Sequence, residues 1–225
     1  MHLNPIGIIE TPYAEKFGAP RQPGLVEEAT GVIRLEAPWD AEEAVRGLEE
    51  FSHIWVIYGF HLTPESPAQL TVRPPRLGGN ERVGVFASRS PFRPNRLGLS
   101  LVQILGVEPG LIEVGGVDIV DRSPVYDLKP YLPWVESQPD AIAGFAAAKP
   151  ETKLDVEFEV EIDPQLRELV RSTIAHDPRP AYLAAEAGVF GVTVAGLNVR
   201  WRVESNSSKA IVFEAASFDA GQERQ

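Results

Sequence analysis

A succession of short apolar segments, punctuated by glycine and proline, leaves this chain few folds to adopt. Ile54-Trp55-Val56-Ile57-Tyr58-Gly59-Phe60 is one unbroken apolar run, the length of a buried strand, and it delivers His61 at its end. Around it the pattern recurs. Residues 3–10 alternate weakly and stop at Thr11-Pro12, and Gly31-Val32-Ile33-Arg34-Leu35 is strand-like. Val83–Ala87, Leu97–Leu105 and Leu111–Val120 follow, the last broken at Gly115-Gly116 in the manner of a bulge. One early helix is expected, with Asp40 as its cap and Glu43 in capping-box position. Ala44, Leu48 and Phe51 would share one face of it. Many short strands with a single helix predict a mainly β architecture, an antiparallel barrel rather than a βαβ layout.

From Pro133 to Lys153 the chain turns rich in Pro, Ala and Ser and reads as a linker. Beyond it Leu154, Val156, Phe158 and Val160 alternate with acids, a half-buried strand. Asp163-Pro164 predicts a helix start, and Leu166, Leu169, Val170 and Ile174 its apolar face. Leu197, Val199, Trp201 and Val203 begin a hairpin that returns at Ile211–Glu214. Two domains are therefore expected: a barrel over residues 1–140 and a small α+β unit over 141–225.

The charge is unevenly placed. The formal net charge is −11, yet residues 73–96 hold six of the sixteen arginines and one acid, Glu81. Guanidinium groups at this density suit a planar, multiply charged anion such as phosphate. A solvated basic loop that offsets acids elsewhere is an equal reading of the charge alone. An acidic whole argues against bulk nonspecific nucleic-acid binding but leaves room for a local basic site. There is no cysteine, which excludes disulfides, thiolate metal sites and thiol nucleophiles. Four scattered histidines make no metal spacing, and no apolar run approaches a membrane span. Without a leader pattern, a cytoplasmic placement is the simplest expectation.

Three proline-stiffened polar loops are the candidate sites: Ser88–Asn95, Ser123–Tyr131 and Asp177–Tyr182. Asp127 and Lys129 are two apart, so an extended segment would turn them to one side, as an ion pair or as an acid–base pair. His61 is either a strand-end histidine bound to backbone or a site residue. Nucleotide-binding glycine fingerprints, a phosphate-cradling Walker loop, H-E-x-x-H and G-x-S-x-G are all missing.

Longer motifs carry a family signal. Gly84-Val85-Phe86-Ala87-Ser88-Arg89-Ser90-Pro91-Phe92-Arg93-Pro94-Asn95, Asp118-Ile119-Val120-Asp121 and Asp127-Leu128-Lys129-Pro130-Tyr131-Leu132-Pro133 resemble the TsaA-like (VirR/YaeB) family. So do Pro20-Arg21-Gln22-Pro23-Gly24, Arg73-Pro74-Pro75-Arg76-Leu77-Gly78-Gly79-Asn80, Asp177-Pro178-Arg179-Pro180-Ala181-Tyr182 and Asn198-Val199-Arg200-Trp201-Arg202-Val203. Arg122 stands where that family commonly has Gly, and Tyr126 where it has a small aliphatic. The resemblance implies an S-adenosylmethionine-binding β-barrel, working as a homodimer, that N6-methylates threonylcarbamoyladenosine beside the tRNA anticodon. It implies cofactor contacts from Gln22, Pro23, Gly24, His61, Leu62, Arg89, Leu99 and the stretch Ser123, Pro124, Val125, Tyr126, Asp127 and Leu128. Asp127 and Lys129 are the expected catalytic pair. Arg73, Arg76, Arg93, Arg96, Arg179, Tyr182 and Arg200 are expected to meet the tRNA, and no metal is expected. Two other readings stay open: a methyltransferase on another small anionic substrate, and a noncatalytic RNA- or nucleotide-binding module.

Overall fold

A computed structural model describes residues 3–65, 67, 69–74, 81–148, 151–179, 183, 186–204 and 207–218. Strands β1 (Gly7–Glu10), β2 (Thr30–Leu35), β3 (His53–Gly59), β6 (Leu97–Glu108), β7 (Leu111–Gly115) and β8 (Ser123–Pro130) close into a barrel. The order around it is β1-β2-β7-β6-β3-β8, and every pairing is antiparallel. A minor ribbon, β4 (Thr71–Val72) with β5 (Val83–Gly84), stands beside it.

Alternation explains the closure. Ile9, Ile33, Ile54, Val56, Val102, Ile112, Val114 and Val125 are buried one residue in two and fill the interior. Each such side chain gains about 1.5–3 kcal/mol over an exposed one. Gly98 is required by this packing: a Cβ there would lie 2.3 Å from the ring of Tyr58, its cross-strand partner.

The second sheet has the order β10-β11-β12-β9, from β9 (Asp155–Phe158), β10 (Gly188–Val194), β11 (Leu197–Val203) and β12 (Lys209–Ser217). Only β9 joins in parallel, to β12. The helix Pro164–Ala175 buries Leu169, Val170, Thr173 and Ile174 against this layer, and Asp163 caps it by accepting from Gln165 N at 2.8 Å.

Local expectations differ from the structure in four places. The early helix is a single turn, Glu42–Val45, with Ala41 as an N-cap that offers no side-chain bond, so Asp40 caps nothing. Leu48 lies in a separate 3₁₀ turn beyond Gly47, whose φ of 83° ends the helix. The segment at Val83 is extended for two residues and then coils as a 3₁₀ turn, Val85–Ala87. The irregularity expected at Gly115-Gly116 is instead the end of β7, while register shifts within the barrel fall at Ile104/Gly106 and Ile57/Tyr58. Among the described residues no helix is long and apolar enough to cross a membrane.

Candidate active site

Ser123–Tyr131 is no loop: through Pro130 it is the barrel strand β8. Its prolines sit at the second and last positions, each with a ladder partner on one side only, Ile8 for Pro124 and Ile54 for Pro130. The register explains how such a strand forms a site. Tyr58 pairs with Val125 and Ile57 with Asp127, so Tyr126 is one residue more than the partner strand can match. This bulge turns the chain without disturbing the buried Val125, and it leaves Tyr126 facing a cleft. The cleft has a volume of about 360 Å³ and is bounded by Gly59, Phe60, His61, Asn95, Arg96, Pro124 and Tyr126.

β3 ends at this cleft. The Phe60 N–H donates to Arg96 O at 2.9 Å, which ties the strand end to the basic segment. His61 is exposed, and its Nδ1 lies 3.2 Å from the Oγ of buried Ser123. Ser123 has one hydroxyl proton and gives it to Val120 O at 2.6 Å. Nδ1 is therefore the donor to Oγ, and Nε2 keeps a lone pair free to accept. Desolvation holds His61 below its usual pKa, Asp121 opposes that, and the charge of Lys16 adds to it.

A second group gathers where the Gln22–Gly24 segment crosses the barrel end. Arg89 donates to Gln22 Oε1, and Gln22 Nε2 donates to Arg21 O. Gly24 N donates to Gly116 O at 2.9 Å. Two residues on, Asp118 accepts from Ser100 Oγ at 2.5 Å. Burial pushes this carboxyl up to about 6, against the opposing pull of Ser100, its own backbone N–H and the charge of Arg89. Sequence reasoning passed over Asp118 and Ser100 as site neighbours. Alternation along β6 places Ser100 inside the barrel, and a hydroxyl among apolar inward positions was the available signal.

The remaining expected residues divide by location. Leu99 and Asp127 both neighbour Ile57 on the outer face of the barrel, and Lys129 neighbours Trp55 on the same face. Asp127 and Lys129 thus do share a side, and both are exposed. The Asp127 carboxylate accepts from Leu128 N at 2.9 Å. Leu62 is exposed beside His61. Arg93 donates to Ser88 O at 2.6 Å and holds its own loop together. Arg96, with φ of 50°, lines the cleft and lies 3.8 Å from Glu65. Arg73 is exposed, and Arg200 is half-exposed in an ion pair with Glu214 at 3.0 Å. Arg76 and Tyr182 lie outside the described residues.

Arg179 requires a correction. Its side chain is 1% exposed, its Nε and Nη2 grip the two oxygens of buried Asp177 at 2.7 and 3.0 Å, and it lies over the ring of Phe190. A guanidinium already forked onto a carboxylate in the core is not presented to a phosphate. Arg122 has φ of 61°, the left-handed region, which explains why glycine suits that position. Among the described residues no cluster of three or more His, Asp or Glu could hold a metal.

The chain thus has an all-antiparallel closed barrel with a cleft at its end and a separate small mixed sheet. Two family models match the chain: the tRNA-methyltransferase O N-terminal domain over residues 8–137 and the TrmO C-terminal domain over residues 149–216. The chain is 46% identical to the tRNA (adenine(37)-N6)-methyltransferase of Escherichia coli K12, across 93% of this chain and 96% of that protein. It is 41% identical to a putative S-adenosylmethionine-dependent methyltransferase of Pseudomonas aeruginosa, across 88% of this chain and 91% of that one. The crystal structure of TrmO from Pseudomonas aeruginosa superposes with a TM-score of 0.80 at 32% identity, covering 96% of this chain and 98% of that one. The chain belongs to the tRNA-methyltransferase O family.

Proposed function

We propose that the protein transfers a methyl group from S-adenosylmethionine to N6 of the adenosine at position 37 of tRNA. The observation that carries this is the near full-length identity to a tRNA (adenine(37)-N6)-methyltransferase. The acceptor is taken to be threonylcarbamoyladenosine in the anticodon stem-loop, the active form a homodimer, and the compartment the cytoplasm. Apolar Leu99 and Leu105 on the outside of β6, each at least half exposed, support a second copy docking on that face.

The residues present suit the cofactor. The cleft is within the about 300–1,000 Å³ of small-molecule sites. His61 Nε2 offers an acceptor for a hydroxyl or exocyclic amine, Tyr126 offers an aromatic face, and the Gln22–Arg89 pair offers amide and guanidinium donors. When bound, S-adenosylmethionine supplies a sulfonium methyl that leaves as the sulfur becomes a neutral thioether. The chain must then hold the acceptor nitrogen in line with that methyl, and positioning alone can account for much of the rate.

N6 of threonylcarbamoyladenosine belongs to a urea-like group and attacks well only as its proton departs. Asp127 is the group assigned to accept that proton, and Lys129 to stabilise the charge left behind or to meet the threonyl carboxylate. Purified protein, incubated with the donor and with tRNA that carries the threonylcarbamoyl group, should yield the N6-methylated nucleoside in a mass-spectrometric digest. Asp127→Asn should leave the fold intact and lower kcat by about 100-fold or more. An undiminished rate removes Asp127 from the mechanism. No methylated nucleoside, with donor bound, would favour another small anionic acceptor.

A further inference from the structure

The segment Gln22–Gly24 is fastened at both of its ends by one turn of the distant C-terminal sheet unit. On one side the exposed Arg21 directs Nη2 to the carbonyls of Asp177 and Arg179, at 3.5 and 3.3 Å. On the other side His176 lies with Nε2 2.7 Å from Leu25 O, and since a carbonyl only accepts, Nε2–H is the donor. The turn itself is over-determined. It follows the helix Pro164–Ala175, whose last carbonyls carry the negative end of the helix dipole and favour a nearby cation such as Arg21. Asp177 takes the left-handed conformation, φ 50°, that ends a helix sharply. The buried Asp177–Arg179 fork then fixes the direction of both carbonyls that Arg21 meets.

We infer that the His176–Arg179 turn is a clamp that positions the Gln22–Gly24 segment, and through it Gln22 and Arg89, for the methyl donor. Arg179 and Asp177 are positioning residues, acting through Arg21. The donor half of this inference rests on the cofactor role given to the Gln22–Arg89 pair under Proposed function. The clamp half rests on the geometry alone. A further contact supports a fixed relation between the two parts: Ala195 N donates to Pro12 O at 2.7 Å, ten residues before the segment.

Arg21→Ala tests it, because the side chain is exposed and its removal opens no cavity. Amide hydrogen exchange on the ligand-free protein reads the clamp directly. Exchange across residues 22–26, including the Gly24 N–H bonded to Gly116 O, should quicken by about tenfold, the loss expected for one or two hydrogen bonds. Titration calorimetry with S-adenosylmethionine should show affinity reduced about three- to tenfold, with tRNA affinity and its salt slope unchanged. Arg21→Lys keeps the charge and should recover part of the loss. Unchanged exchange in Arg21→Ala overturns the clamp. So does a fall in tRNA affinity with a shallower salt slope and intact donor binding, which would make Arg21 a phosphate contact. Gln22→Ala is the separate control on the cofactor role. If it leaves S-adenosylmethionine affinity untouched, the donor site lies elsewhere and the donor half fails, whatever the exchange data say of the clamp.

Discussion

Burial keeps the Asp118 carboxyl protonated to about pH 6 in the folded chain, above its ordinary value of 3.8. A folded-state pKa raised in this way means that the native protein holds a proton the unfolded chain has already lost. The contribution is therefore fully present below about pH 4 and is lost as pH rises through about 6. Asp118→Asn keeps a hydrogen-bonding partner for Ser100 and removes the titration. Its stability should fall less than the parent's between pH 4 and pH 8, by at most about 3 kcal/mol, in paired thermal melts. Parallel curves would show that Arg89 neutralises the group already. Arg179 is the residue where sequence reasoning met its limit. Nothing in Asp177-Pro178-Arg179 distinguishes an arginine waiting for phosphate from one folded back onto a carboxylate two residues earlier, because the choice is made by burial under Phe190. Arg179→Ala leaves the Asp177 carboxylate buried and unpaired, and should cost about 3–5 kcal/mol in urea denaturation. A change within about 0.5 kcal/mol would return Arg179 to the surface.

At the level of elements, the barrel strands were legible as short apolar segments, some alternating and one unbroken, set off by glycine and proline. Ile54-Trp55-Val56-Ile57-Tyr58, with its neighbours, defined β3 and its class before any coordinates. β8 was disguised by Pro124 and Pro130, which read as loop stiffeners but lie near the two ends of the strand, each paired on one side only. The bulge that aims Tyr126 was not legible at all, since a one-residue mismatch appears only when two strands are laid side by side. Even so, Asp127 and Lys129 fall on one side as spacing required, because the bulge lies before them. The β3–β6 pair has little tolerance: Gly98→Ala would drive a methyl into the Tyr58 ring. Overpacking of this kind costs about 1–3 kcal/mol, and the urea midpoint should drop accordingly. Since Gly98 and Gly59 pair with residues at the cleft end of the same ladder, the variant should also weaken donor binding more than its stability loss accounts for.

For the molecule as a whole, the difficulty is that a chain with a net charge of −11 is assigned a polyanionic substrate. At long range the two repel, so attraction must come from a patch within about 8–10 Å of the phosphates, the screening distance at physiological salt. The described arginines of the 73–96 stretch do lie near one another in sequence, but several already have partners. Arg93 holds Ser88 O, Arg89 holds Gln22, and Arg82 donates to Thr71 Oγ1 at 2.8 Å. Those bonds are to neutral acceptors, which leave the positive charge uncancelled, whereas Arg200 faces Glu214 and Arg96 approaches Glu65. The polyanion contact should therefore be carried chiefly by Arg73, Arg82 and Arg93, with Arg200 adding little. Affinity for tRNA should fall steeply with salt, each phosphate engaged contributing about 0.7–0.9 to the log–log slope. Arg73→Ala should reduce that slope by about one contact, while Arg200→Ala leaves it nearly unchanged. Filter binding at several salt concentrations measures both. A slope that stays flat in the parent protein would mean that tRNA is held by stacking and shape, and that the basic stretch serves only to offset the acids around it.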